Sequence, residues 1–218
     1  MSKKYIYEKL MKEYKNPYGV AGLMGNIKAE SNFKSTNLQN TYEKKLGYTD
    51  ESYTKAVDDG KYVNFVRDAA GYGLAQWTYW SRKQALLDFC RSRKASIGDL
   101  DAQIDFLIKE IKGYKTVDNA IRTCKSVREA SDIVLKQYER PANQGTSVQI
   151  QRAKYGTAIF NEFNKSEAKE DTVDIDALAR DVIAGKYGNG QERKDKLGKL
   201  YSKVQKRVNE MLKGWLHG

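Results

Sequence analysis

The chain has 218 residues, 40% apolar and 31% charged, with 39 Lys and Arg against 28 Asp and Glu for a formal charge of +11. That length suits one helical domain of ordinary size plus a small module, or a single compact domain, and two Pro with 17 Gly exclude collagen-like and Pro-rich disordered chains. A single histidine, His217, all but excludes a His-based metal site or a Ser-His-Asp triad, so no metal or cofactor is expected and any chemistry falls to carboxylates, Tyr, Lys or Cys.

The basic balance suits a polyanion: nucleic acid, an anionic membrane, or a wall rich in teichoic acid and muropeptide carboxylates. No stretch approaches the roughly 18 apolar residues of a spanning helix, so stable membrane insertion is not expected. At the N-terminus Glu8 interrupts before the apolar core of a signal peptide forms, and the segment reads as mature sequence. Cys90 and Cys124 carry no CxxC spacing and read as free thiols.

In chain order, Ile6, Leu10, Met11 and Tyr14 share one face of an amphipathic helix over residues 5–14, which Asn16-Pro17 breaks. A second helix is predicted over 20–30, with Val20, Leu23, Met24 and Ile27 inward. Its small residues Ala21, Gly22, Gly25 and Ala29 lower helix propensity, by roughly 1 kcal/mol per Gly, which close packing on several sides makes tolerable. Between 31 and 70 the periodicity weakens into an irregular lobe that has room for a small hairpin, with short helical pieces at 51–58 and 61–67. After the turn at Gly71-Tyr-Gly73, a helix over 81–93 has Ser81 as N-cap and Gln84 to close a capping box. Asp99 or Asp101 caps the next helix, whose stripe is Leu100, Ile104, Leu107, Ile108 and Ile111, and Gly113 stops it. Short segments follow at 116–124. Ser126 caps a helix through Tyr138 that Glu139-Arg-Pro141 ends, and a last long helix covers 147–163. The charged, aperiodic 164–172 reads as a linker. Beyond it, 173–213 reads as three short helices with a Gly-rich turn between the first two.

The run Gly25-Asn-Ile-Lys-Ala-Glu-Ser-Asn-Phe33 places Glu30 in the last turn of the second helix. There the helix dipole disfavours negative charge and partial burial works the same way, so a carboxyl becomes a suitable general acid. The alternative is a surface carboxylate, the reading given to Glu13, Glu43, Glu110 and Glu129. The segment Gly71-Tyr-Gly-Leu-Ala-Gln-Trp77 joins a close-approach backbone to an amide and a large aromatic, with Tyr79 and Trp80 beyond. It reads equally as a carbohydrate groove or as a core turn with Trp77 buried.

Glu-Ser-Asn-Phe (30–33) followed by Gly-Leu-Ala-Gln (73–76) resembles the pairing of goose-type lysozymes and lytic transglycosylases. The longer runs at 22–33 and 71–77, with Tyr138-Glu-Arg-Pro141, resemble the phage tail lysozyme family over about 3–163. The resemblance implies a mostly α, lysozyme-like domain over 1–163. It also implies Glu30 as catalytic acid and Ser31, Tyr72, Gly73, Leu74, Gln76, Trp77 and Tyr138 as residues along the glycan. A second carboxylate is sought among Glu43, Asp50, Glu51, Asp58, Asp59 and Asp68. Asp68, just before the Gly71 turn, is preferred. Inverting hydrolysis needs such a base about 6.5–9.5 Å from the acid and retention about 5–5.5 Å, whereas transglycosylases manage without one.

The runs Asp176-Ala-Leu-Ala-Arg-Asp-Val-Ile-Ala-Gly-Lys-Tyr-Gly-Asn-Gly-Gln-Glu-Arg193 and Tyr201-Ser-Lys-Val-Gln-Lys-Arg-Val-Asn-Glu-Met-Leu212 resemble the Cpl-7 type wall-binding repeat, a three-helix unit expected over 173–213. That family pattern makes Arg180, Tyr187, Gly188, Gly190, Arg193 and Arg207 the binding set. Tyr187 stands where Trp is common, and one copy lacks the gain of linked sites.

The whole then reads as an endolysin-type muramidase cutting the β-1,4 bond from N-acetylmuramic acid to N-acetylglucosamine. Lytic transglycosylase and N-acetylglucosaminidase stand as alternatives, and a non-catalytic wall-binding virion protein as a weaker one. Peptidoglycan strands and muropeptides are the expected partners, not nucleic acid, since acidic residues recur through both parts; weak self-association is compatible with this reading. By analogy the protein is made in the host cytoplasm and reaches the wall through a holin-made hole.

Overall fold

The computed structural model describes residues 2–164 and 174–216; most of the expected linker, 165–172, and His217 lie outside the described residues. Twelve α-helices are present among the described residues, with no strand. None is long and apolar enough to cross a membrane. The chain divides after Asn164 into two compact units.

In the first unit α1 (Ser2–Tyr14) leads into α2 (Pro17–Ser31), the central helix. Pro17 at the first helical position and Asn16, whose side chain accepts from the Tyr18 amide, start α2. Asn16 also donates to the Ile121 and Cys124 carbonyls at 3.0 and 2.9 Å. Every residue from Gly19 to Ile27 is buried, as the small residues led one to expect. Added Cβ atoms would lie 1.8 Å from the Ile121 carbonyl at Gly19, 2.7 Å from the Ala130 Cβ at Gly22 and 2.4 Å from the Arg152 carbonyl at Gly25. Backbones thus approach α2 from three directions: α7 (Lys115–Thr123), α8 (Val127–Val134) and α9 (Thr146–Phe163).

The irregular lobe holds α3 (Asn40–Leu46), which the sequence pattern does not announce, and α4 (Asp50–Asp58). α3 buries none of its residues, so it leaves no apolar periodicity to read. The stretch 61–67 forms turns rather than a helix. The hairpin reduces to two isolated bridges, Leu38 with Tyr72 and Tyr72 with Trp77.

α5 (Trp80–Ser92) begins one residue before the expected cap: Tyr79 is the N-cap and makes no side-chain capping bond. Asp99 caps α6 (Leu100–Lys112), accepting from Ala102, and Gly113 ends it. Ser126 caps α8, but the helix does not continue as α to Tyr138. It widens into a π turn (Leu135–Glu139), and Arg140 then adopts a left-handed φ of 49°. Cys90 and Cys124 are free and buried, and burial pushes both thiols up to about 11.

The second unit is three helices, α10 (Ile175–Ile183), α11 (Gly190–Leu197) and α12 (Tyr201–Leu216), around Ala179, Val182, Leu197, Val204 and Val208. Glycines at positive φ, Gly185 at 80° and Gly188 at 66°, make the turn between α10 and α11.

Candidate active site

Glu30 opens on a cleft of about 640 Å³ walled by the 75–79 loop on one side and residues 139–142 on the other. Ser31, the next residue, is buried and does not face the cleft. Its hydroxyl donates to the Leu74 carbonyl at 2.9 Å and so pins the end of α2 to that loop. Glu30 itself is not an isolated carboxyl. Arg152 of α9 places Nη2 2.6 Å from Glu30 Oε1, and the two side chains are 9% and 18% exposed. Asn26, one helical turn earlier on the same face of α2, accepts from Arg152 Nη1 at 3.1 Å. The lone, uncharged acid expected at this position is therefore corrected: Glu30 is ion-paired to an arginine within an Asn26–Arg152–Glu30 chain. The sequence did not show it, because Arg152 sits 122 residues away on a helix read only as a packing element.

The loop after Gly71 is a core turn with Trp77 buried, and its end from Ala75 to Tyr79 lines the cleft. Trp77 is fully buried and donates its indole N–H to Glu110 at 2.8 Å, so it is a core residue and not a sugar platform. Tyr72 is buried as well, its hydroxyl 2.6 Å from that of Thr54. Leu74 is buried, its amide donating to Gln103 Oε1 at 2.9 Å. Gly73 takes a φ of 76°, and a Cβ there would lie 2.6 Å from the same Gln103 oxygen. Of the residues expected along the glycan, Gln76 lines the cleft, beside Ala75, Thr78 and the 63% exposed Tyr79. Its side-chain amide donates to the Asn37 and Gly73 carbonyls at 3.0 and 3.2 Å, which fixes the rim.

Tyr138 is likewise buried, its hydroxyl donating to Glu110. Glu110 is thus not the surface carboxylate its helix position suggested. It also accepts from Arg82 Nε at 2.7 Å and Nη2 at 2.8 Å. Burial works to raise its pKa, but Arg82 and the Tyr138 and Trp77 donors prevail, and the carboxyl lies below its ordinary value. This hub ties α5, α6, the Trp77 loop and the π turn into one wall of the cleft.

Asp68, the preferred second carboxylate, is corrected. Its side chain is 1% exposed, and Lys83 Nζ sits 2.6 Å from Oδ1 with no exposure at all. The Ala70 amide donates to Oδ1, and the Tyr53 and Tyr62 hydroxyls donate to Oδ2. Such a group cannot reach a glycan. The rest of the lobe's acids are engaged too: Asp50 and Glu51 with Lys34, Asp59 with Lys55 and Lys61, and Asp58 accepting from Ser96 and the Ile97 amide. Glu43 lies on α3, outside the cleft lining.

The carboxylate that does line the cleft with Glu30 is Glu139. Its Oε1 is buried and has no hydrogen-bond partner among the described residues. Burial first, then the charge of Glu30, pushes it well above the usual carboxylate range. Sequence reading took Glu139-Arg-Pro141 as a helix stop and Tyr138-Glu-Arg-Pro141 as part of the family resemblance, and gave Glu139 no role; the available signals were that motif and its place, like that of Glu30, at the end of a helix.

In the second unit Arg193 is an internal brace. It donates to the Gly188 carbonyl at 3.0 and 2.9 Å, to Asn189 Oδ1 at 2.8 Å and to Gln205 Oε1 at 3.0 Å. Arg207 forks onto Asp176 at 2.6 and 2.9 Å. Both expected anion contacts are therefore spent inside the module. Arg180 is 62% exposed, with Asp174 3.7 Å away; Tyr187 is half-buried against the core, Gly188 is half-buried, and Gly190 is exposed.

Residues 2–163 match the family model described as phage tail lysozyme, and residues 176–212 match the CW_7 repeat.

Proposed function

Because the chain belongs to the phage tail lysozyme family and carries a CW_7 repeat, we propose that it is an endolysin-type muramidase. It cleaves the β-1,4 bond between N-acetylmuramic acid and N-acetylglucosamine. The observation that carries this reading is Glu30 in the lining of a cleft, between a loop bearing Gln76 and Tyr79 and the segment after the π turn. A glycan lying there presents a glycosidic oxygen to the carboxyl group. Protonation lets the C1–O bond break, its electron pair goes to the departing oxygen, and water completes the reaction at the oxocarbenium-like carbon. Gln76 and the exposed ring of Tyr79 are the groups suited to the sugar's polar edge and apolar face.

One observation favours the transglycosylase reading as the alternative. The lobe's Asp50, Glu51, Asp58, Asp59 and Asp68 are all bonded within their surroundings and Glu43 lies outside the cleft lining, so the lobe places no free base in the cleft to hold water. In that case the muramoyl 6-hydroxyl takes the place of water. The second unit would hold the enzyme to the wall through Arg180, Tyr187 and the Gly188–Gly190 turn, with Arg193 keeping that turn in shape.

The test is Glu30→Gln, which keeps the size of the side chain and removes its acid–base group. Folding and wall binding stay, and the rate falls by about 10²–10⁴. Near-wild-type turnover in this variant would overturn the reading.

A further inference from the structure

We propose that Glu139 is the second carboxyl of this site, and that it keeps a proton in the cleft for the chemistry at Glu30. The inference rests on the glycosidase reading above and deepens it. Three features of the geometry carry it.

First, both side chains line the same cleft, each from the end of a helical segment. The Glu139 end is unusual: a π turn inserts a residue just before it, and Arg140 is held at a φ of 49°. Single π turns and left-handed non-Gly residues cost stability and concentrate at functional positions.

Second, the arginines near Glu139 make no hydrogen bond to it. The groups around it are Glu30 from α2, Arg82 from α5, Glu110 from α6, Arg152 from α9 and the exposed Arg140 beside it in the cleft lining. Arg82 gives Nε and Nη2 to Glu110. Arg152 gives Nη2 to Glu30 and Nη1 to Asn26. Glu139 Oε1 is left buried with no partner among the described residues. A buried carboxylate without a partner is costly, and a carboxylic acid is far less so.

Third, the charge of Glu30 in the same cleft makes ionising Glu139 costlier still. Burial and the Glu30 charge both raise the Glu139 pKa, in agreement with this arrangement.

The step balances within the cleft. The proton kept there goes to the leaving oxygen as the C1–O bond breaks. The incoming hydroxyl, from water or from the muramoyl C6, then returns a proton to the carboxyls of the cleft as its oxygen bonds C1. Glu139 therefore acts by keeping the proton in the cleft, as a positioning residue for Glu30 chemistry.

The experiment measures kcat/KM on purified peptidoglycan across pH 5 to 8 for the full-length chain, Glu139→Gln and Glu139→Asp, with released glycan ends counted by mass spectrometry. Wild type should keep its activity toward the alkaline side. In Glu139→Gln the proton-holding group is gone, so the alkaline limb moves to lower pH, and activity falls about ten-fold more at pH 8 than at pH 5. Glu139→Asp recovers part of the limb. A uniform loss at all pH values, or an unchanged profile, overturns the inference, since a packing role would give either. Should Glu139→Gln fail to fold, carbonyl NMR of the wild type with ¹³C-labelled Glu decides: a carboxyl still protonated at pH 7 supports the inference, and none refutes it. If the wild type releases no glycan ends at any pH, the glycosidase reading itself has failed, which is a different result.

Discussion

Two carboxylates in the first unit, the buried Asp68 and the half-buried Glu139, have opposite surroundings. Asp68 meets a lysine, two tyrosine hydroxyls and a backbone amide, with both oxygens occupied. Lys83 in turn reaches the Ala70 carbonyl at 2.8 Å and lies over the Phe65 ring at 4.3 Å. Nothing there is left to bind a ligand. Glu139 has a buried oxygen without a partner and a cleft in front of it. A closed set of partners marks a group that builds the fold, while an incomplete set at a cavity marks one kept for chemistry.

Exchanging single members of each set separates the two roles. Glu30→Gln should cost about 10²–10⁴ in rate and lower the melting temperature modestly, because Arg152 exchanges a carboxylate partner for an amide. Lys83→Ala should spare the rate per folded molecule and cost more stability: it strands the fully buried Asp68 charge, and removal of one partner of a buried pair costs about 3–5 kcal/mol. Thermal unfolding and turnover per folded molecule, measured on both variants, check this. If Lys83→Ala melts like the wild type, the lobe is not held by that pair.

The fold was far more legible than the site. Apolar spacing gave α1, α2, α6 and the three helices of the second unit, because each buries one stripe. The glycines of α2 carried a signal too, since only close packing on several sides excuses them. Glu30 was legible through its motif. Its partner Arg152, the Glu110 hub and Glu139 were not, for each depends on side chains brought together from distant helices, and no local pattern records such meetings. Asp68 was chosen for nearness to the Gly71 turn, but nearness in sequence said nothing of Lys83 lying against it. Trp77 shows the same limit: its indole was free to stack on a sugar until Glu110 was seen to hold it.

The packing around Glu30 gives the next effect in size. Gly25→Ala sets a methyl 2.4 Å from the Arg152 carbonyl and 2.7 Å from the Gly156 amide nitrogen. Overpacking of this kind costs about 1–3 kcal/mol. Because it pushes on the helix that carries Arg152, it should lower turnover as well as the melting temperature, unlike Lys83→Ala; equal loss of stability with intact turnover would argue against α9 as the frame of the site.

A smaller effect follows from the Glu139 proton. Its pKa is raised on folding, so the native chain retains a proton that the unfolded chain has released. Stability is then lost as pH climbs from the ordinary carboxylate range toward the raised value. Gln cannot ionise. Glu139→Gln should therefore melt above the wild type at about pH 8 and together with it at about pH 3. A melting difference that stays constant with pH would contradict this. Smallest of all, Arg193→Ala should loosen the Gly188–Gly190 turn and weaken wall sedimentation while leaving cleavage of soluble glycan untouched.

The most direct test of the glycosidase account is mass spectrometry of purified peptidoglycan after digestion by the wild-type chain. Reducing-end N-acetylmuramic acid is the predicted product, and an anhydro-muramoyl end would move the account to its transglycosylase form. Intact glycan strands with new amino or carboxyl ends in the peptide stems would contradict it.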